Sequence, residues 1–153
     1  MTPAVFLDTS GWLAAVSPRE LYHAQVVEAY DDLMRRRVPF VTTNLVLGEM
    51  HALVVRQRGA QSGCALLDAI YADPAYRVIT STRELEASAA DRWLRPFRDH
   101  RFSLTDAVSF EAMRSAGITD ALALDCHFEV AGYRLLPDLG KTATKHRRSQ
   151  RRR

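Results

Sequence analysis

A chain of 153 residues, 47% hydrophobic and 25% charged, is long enough for one packed domain and excludes a largely disordered body. No apolar run approaches the ~20 residues of a membrane span, and no charged segment followed by an apolar one opens the chain, so neither a membrane protein nor a secretory leader is expected. The net charge of +3 conceals an asymmetry: seven of the 21 basic residues fall in the last thirteen positions, which hold no acid, so the first 140 residues carry 14 basic against 18 acidic side chains, a net −4. Lys141 and Lys145 are the only lysines. Cys64 and Cys126 form no CxxC pair and are too few for a disulfide framework, which predicts reduced thiols and a cytoplasmic setting. The expected organisation is one domain over 1–140 and a basic, disordered tail over 141–153.

Taken in chain order, residues 4–8 predict a strand and Ser10 to Val16 a short helix. Ser17-Pro18-Arg19-Glu20 has the composition of a helix start, with Pro near the first turn, and helical spacing of Leu21, Val27, Tyr30, Leu33 and Met34 carries that helix to Arg36. Residues 38–42 predict a strand with Pro39 near its beginning. Thr43 or Asn44 caps a helix running to Gln57 and stopping near Gly59. A helix over 61–72 and a strand over 76–80 follow, then a helical pattern over 82–95 that Pro96 interrupts. A helix over 106–116 stops at Gly117, a strand spans 118–124 with Asp120 weakening its first half, a helical turn spans 126–131, and a strand spans 133–136. Short strands alternating with helices predict a three-layer α/β/α sandwich with a mostly parallel central sheet. Ligand sites in such sheets lie beyond the carboxyl ends of the strands.

Four acids stand out in this frame. Asp8 closes the run Ala4-Val5-Phe6-Leu7, Glu49 shares a helical face with Leu45 and Leu53, Asp106 follows Ser103-Leu104-Thr105, and Asp125 ends Ala121-Leu122-Ala123-Leu124. Two carboxylates ~4 Å apart repel by roughly 4 kcal/mol at an effective dielectric near 20. Acids gathered at one site therefore hold protons or a hard cation. Each also has a purely structural reading. Asp8 suits the cap of the following helix, Asp106 fits a Ser103-x-x-Asp106 capping box, Asp125 fits a turn, and Glu49 fits a partly exposed helix position. Glu111 lies about 140° around its helix from Asp106 and is set aside. His51 faces away from Glu49, His127 is read as packing or facing solvent, and Trp12, Phe6 and Phe128 are read as core.

In their order and spacing, Val5-Phe6-Leu7-Asp8-Thr9-Ser10, Asn44-Leu45-Val46-Leu47-Gly48-Glu49, Ser103-Leu104-Thr105-Asp106-Ala107 and Ala123-Leu124-Asp125-Cys126-His127-Phe128 with Gly132-Tyr133 resemble the PIN-domain ribonucleases, most of all the VapC-like toxins of type II toxin–antitoxin pairs. The resemblance covers about residues 4–137. It implies a PIN-like fold and an endoribonuclease assisted by Mg²⁺ or Mn²⁺, with the family's acids at Asp8, Glu49, Asp106 and Asp125. Asp8, Asp106 and Asp125 are then the expected metal ligands, while Glu49 either binds a second ion or orients the attacking water. Thr9 and Ser10 are expected to hydrogen-bond a ligating carboxylate or a phosphate oxygen. The resemblance also implies an RNA substrate, a cognate antitoxin and a homodimer.

The tail enters separately, because such extensions lie outside the family pattern. Lys145, Arg147, Arg148, Arg151, Arg152 and Arg153 suit an electrostatic arm for RNA phosphates, or simply a solubilising end. Two other functions compete: an RNA-maturation nuclease with no antitoxin, and a non-catalytic RNA-binding module relying on the tail. A phosphotransfer domain with Asp8 as acceptor fits poorly, since the body has no lysine and no Gly-x-Gly phosphate loop.

Overall fold

The computed structural model describes residues 3–140, so the tail residues proposed for RNA binding, Lys145, Arg147, Arg148, Arg151, Arg152 and Arg153, lie outside the described residues. Five strands, β1 (Val5–Leu7), β2 (Phe40–Thr43), β3 (Tyr76–Ile79), β4 (Asp120–Leu122) and β5 (Arg134–Leu136), form one sheet in the order β3-β2-β1-β4-β5. Every neighbouring pair is parallel, so the expected mostly parallel sheet is parallel throughout. The helices are α1 (Thr9–Val16), α2 (His23–Arg35), α3 (Asn44–Arg58), α4 (Ala60–Ala72), α5 (Arg83–Ala89), α6 (Leu104–Ala116) and α7 (His127–Val130). Among the described residues no helix is long and apolar enough to cross a membrane.

Successive residues of a strand point to opposite faces, and Val5, Phe6 and Leu7 of β1 are all buried, so both faces of the central strand are covered. Phe6, Phe40, Phe110 and Phe128 are fully buried, and Phe128 of α7 meets Phe110 of α6 edge-on at 5.0 Å and Phe6 of β1 at 5.9 Å, joining both helices to the sheet. Trp12, Phe6 and Phe128 thus belong to the core, as expected.

The chain moves from β1 outward to β2 and β3, then crosses back to β4 on the other side of β1. This reversal opens a crevice between the carboxyl ends of β1 and β4, where open parallel sheets place their ligands. Asp8 N–H bonds the Leu122 carbonyl at 3.3 Å, tying those two ends together. Helix α1 then settles on the end of β4: a Cβ on Gly11 would come 2.1 Å from the Leu122 oxygen. Only glycine permits that approach.

Several boundaries differ from the sequence expectation. Helix α2 begins at His23 rather than near Pro18, because Ser17 to Tyr22 form turns closed by Glu20 N–H to Ser17 O and His23 N–H to Glu20 O, each 3.1 Å. Leu21 is 61% exposed there, while His23 Nδ1 lies 2.7 Å from Ala14 O and pins the true start. Helix α6 begins at Leu104, with Ser103 as its cap, and stops at Gly117 in the left-handed region (φ 65°). The helical pattern over 82–95 resolves into α5 and a π-helical segment, Ala90–Leu94, that delivers the Trp93 indole to Glu111. Strand β4 covers Asp120–Leu122 only, and Asp120 secures its start rather than weakening it, because the carboxylate pairs with both Nε (2.9 Å) and Nη2 of Arg134, its register partner on β5.

Candidate active site

Asp8 stands where β1 ends and α1 begins. Its extended backbone makes it the N-cap, and Oδ2 accepts from Ser10 N–H at 3.1 Å and from Ser10 Oγ at 2.5 Å. Ser10 Oγ in turn accepts from Leu124 N–H at 2.9 Å, so one hydroxyl links the Asp8 carboxylate to the segment leaving β4. The Asp8 residue is 7% exposed. Burial pushes its carboxyl up to about 6 against the two Ser10 hydrogen bonds, which favour the anion, and the nearby charges of Asp125 and Asp106 push further in the same direction as burial.

Asp106 occupies the third position of α6 and completes the capping box: Ser103 Oγ accepts from Asp106 N–H (3.0 Å), and Asp106 Oδ2 accepts from Ser103 N–H (2.9 Å). The same Oδ2 lies 3.0 Å from His127 Nδ1. In the tautomer with its proton on Nδ1 the ring donates to this carboxylate, and in the other tautomer Nδ1 offers a lone pair to the same space. Asp125 precedes α7, whose N-cap is Cys126, and closes a local turn there: its Oδ1 accepts from His127 N–H at 2.9 Å and lies 3.7 Å from His127 Nδ1. For Asp8, Asp106 and Asp125, the structural reading and the site reading thus describe one side chain doing both. The cap at Asp8 and Asp106, and the local turn at Asp125, fix the rotamer that holds each carboxylate in the crevice.

One ligand atom each from Asp106, Asp125 and His127 lie within 4.8 Å of one another, the spacing of a metal's donor set. Asp8 and Glu49 stand outside that compact group but line the same cavity of about 410 Å³, with Thr9, Ser10, Leu13, Arg101 and Ser103. Glu49 is the least enclosed of the four acids. It is exposed, although it shares a helical face with Leu45 and Leu53, and it accepts from Thr9 Oγ1 at 3.0 Å.

His127 corrects the sequence reading in the other direction. It does pack, edge-on to Phe102 at 5.0 Å, but it is only 9% exposed and its ring nitrogen joins the acids rather than solvent. The Asp-x-His spacing just before a short helix was the available signal, since an Asp side chain accepts from the amide two residues on and so shares one turn with that residue. Arg101 was also missed. It lies in an irregular loop where no periodicity assigns a direction to its side chain. Glu111, set aside on its helical angle, is remote from this cavity and accepts from Trp93 Nε1 (3.0 Å) and Arg114 (2.8 and 3.1 Å).

The donor set matches the cation that the resemblance implies. Carboxylate oxygens from two strand ends and one helix start converge, and Asp8, buried, has hydroxyl and amide partners but no cation among the described residues. The imidazole adds a nitrogen donor acceptable to Mn²⁺ and less suited to Mg²⁺.

Comparison with known proteins agrees with this geometry. No protein-family model matches the chain. The 23S rRNA-specific endonuclease VapC20 of Mycobacterium tuberculosis is 35% identical over 130 residues, covering 84% of this chain and 95% of the relative. The crystal structure of Mycobacterium tuberculosis VapC20, described as a Sarcin-Ricin loop cleaving toxin, superposes with a TM-score of 0.72 at 32% identity, covering 85% of this chain and 96% of the other. FitAcB from Neisseria gonorrhoeae shares the fold, with a TM-score of 0.62 at 15% identity over 86% of this chain and 95% of the other. With a parallel five-stranded sheet, an acid cluster at its switch point and a relative of this identity over most of both chains, the chain belongs to the PIN-domain ribonucleases, among the VapC toxins of toxin–antitoxin systems.

Proposed function

We propose that this toxin endoribonuclease hydrolyses RNA phosphodiester bonds with Mg²⁺ or Mn²⁺ held by Asp8, Asp106 and Asp125. The observation that carries this reading is the Asp8 carboxyl: buried, pushed up to about 6, without a cationic partner among the described residues, and sharing its cavity with Asp106 and Asp125. A bound divalent ion would supply Lewis-acid polarisation of the phosphoryl group and neutralise the charge it gains during attack. Ser10 holds Asp8, and the Ser103 amide and His127 together hold Asp106, so both carboxylates are aimed before any ligand arrives. Glu49, more exposed and hydrogen-bonded by Thr9, lines the same cavity, and its proposed role is to orient the attacking water or to bind a second ion.

The VapC20 relative is named as specific for 23S rRNA, which makes ribosomal RNA the first substrate to try. A cognate antitoxin, a homodimeric assembly and a cytoplasmic setting follow from the family resemblance. The basic segment from Lys141 to Arg153 is proposed as an arm for RNA phosphates, separate from the domain over 1–140. If about four of its cations contact single-stranded RNA, deleting it flattens the log–log salt slope of binding by roughly three.

The test is cleavage of ribosomal RNA and of a mixed structured-RNA pool by the purified chain, with Mg²⁺, with Mn²⁺ and with EDTA, beside Asp8→Asn. Cleavage that requires a divalent ion and disappears in Asp8→Asn is the expected outcome. RNA bound in every condition and never cut would favour the binding-module alternative instead.

A further inference from the structure

The acid cavity sets an electrostatic problem that the acids do not solve. An RNA phosphate has to approach several carboxylates on a body that carries 14 basic against 18 acidic residues. Among the described residues, one cationic side chain other than histidine lines that cavity, Arg101. Its neighbours are already engaged: Arg92 with Glu111 at 3.3 Å, Arg95 with Asp91 at 2.9 Å, Arg98 with the Arg95 carbonyl at 2.9 Å, and His100 with Asp99 at 3.7 Å. Arg101 is exposed and, among the described residues, makes no hydrogen bond or ion pair.

Its mount is firm. Phe102 packs edge-on against Phe110 at 5.2 Å and against His127 at 5.0 Å, while Ser103 is locked into the capping box with Asp106. The backbone that carries Arg101 is thus tied on its C-terminal side to two members of the site. A guanidinium so placed presents a fork of donors that matches a phosphate's oxygens.

We propose that Arg101 is the phosphate anchor of the active site, gripping a backbone phosphate of the RNA at the mouth of the acid cavity and so determining where the strand crosses it. The proposal rests on the reading of this cavity as an RNA-cleaving site. It assigns Arg101 a contact with substrate that none of the four acids can make.

The experiment uses the full chain, a short fluorescein-labelled single-stranded RNA oligonucleotide and fluorescence anisotropy in EDTA, where cleavage is not required. Wild type, Arg101→Ala, Arg101→Lys and Arg95→Ala are titrated across a range of salt. Arg101→Ala is expected to weaken binding about tenfold, the loss of one charged hydrogen-bonded contact, and to lower the log–log salt slope by about 0.7. Arg101→Lys is expected to keep the slope and recover part of the affinity, and Arg95→Ala to leave both as in wild type. In cleavage assays Arg101→Ala is expected to raise KM far more than it lowers kcat.

An unchanged slope and Kd in Arg101→Ala would overturn the proposal, and so would an equal loss in Arg95→Ala, which would mean diffuse attraction. Failure of the nuclease reading is separable: wild type would then not cut RNA with Mg²⁺ or Mn²⁺, while the EDTA titrations would still show whether Arg101 holds a phosphate. No RNA binding by the wild type would overturn both. Thermal melting of Arg101→Ala, expected to match wild type because the side chain is exposed, guards against a folding artefact.

Discussion

Two buried carboxylates in this molecule meet opposite fates. Glu111, 2% exposed, is neutralised by its own surroundings: hydrogen bonds from Arg114 hold its carboxyl below the ordinary range, with Trp93 and the charges of Arg114 and Arg92 helping, all against the cost of burial. Asp8, 7% exposed, has hydroxyl and amide partners but no cation among the described residues, and burial together with Asp125 and Asp106 holds its carboxyl at about 6. The first group is complete within the chain, and the second is complete only when a proton or an external cation joins it. A buried acid is therefore not a functional signal by itself. A buried acid whose charge the fold leaves uncompensated is one.

The contrast can be broken most sharply through activity. Asp125→Asn keeps the bond that an oxygen at this position accepts from His127 N–H but removes a negative charge from the cavity. It is expected to lower the cleavage rate by about 10²–10³ with Mn²⁺ or Mg²⁺ while the fold persists, whereas Glu111→Gln is expected to cleave at close to the wild-type rate per folded molecule. Single-turnover cleavage of ribosomal RNA measures both.

Stability reverses the ranking. Glu111→Ala leaves Arg92, Arg114 and the Trp93 indole facing a gap, and denaturant unfolding is expected to show a loss of about 3 kcal/mol. Calorimetric Mn²⁺ binding by the folded fraction should be unaffected.

The pH dependence of the metal-free protein separates the two acids by sign. Because the folded-state carboxyl of Asp8 titrates above its ordinary value of 3.8, its contribution to stability is fully present below that value and is lost as the pH rises through about 6. The loss amounts to about 3 kcal/mol at most. Glu111, held low, contributes stability above the ordinary carboxylate range that is lost as the pH falls through its folded value. In EDTA at neutral pH, Asp8→Asn is accordingly expected to melt several degrees above wild type and to flatten the profile between pH 4 and 6. Saturating Mn²⁺ should close the gap by stabilising wild type alone, by about 2.7 kcal/mol at a hundred times Kd. An Asp8→Asn protein less stable than wild type in EDTA would mean that the buried charge is compensated after all. The smallest effect belongs to Thr9→Val, which frees Glu49 without touching the buried acids and is expected to cost about fivefold in kcat with little change in melting temperature.

The sequence was most legible where local rules and tertiary placement coincide. Asp8 and Asp106 follow apolar or capping patterns that fix their place at a strand end and a helix start, and the parallel topology brings those ends to one crevice. Glu111 was rightly set apart because helical angle alone turns it from Asp106. Legibility failed where the partner is remote in sequence or the backbone irregular. Asp120 looked like a defect in a strand because its partner, Arg134, lies across a parallel register 14 residues later. Pro18 looked like a helix start because composition does not distinguish a first turn from the two tight turns before His23. Arg101 and His127 gain their meaning from loop paths that no periodicity encodes.

Gly11 carries a consequence for the width of the crevice. Helix α1 meets β4 backbone to backbone, and a methyl group there would lie 2.1 Å from the Leu122 carbonyl oxygen. Asp8 precedes that contact by three residues and Asp125 follows Leu122 by three, so the junction acts as a spacer gauge between the two carboxylates, ground to the thickness of a bare backbone. A single added carbon would be a wedge, widening the gap between the two carboxylates while leaving every acid of the site unaltered.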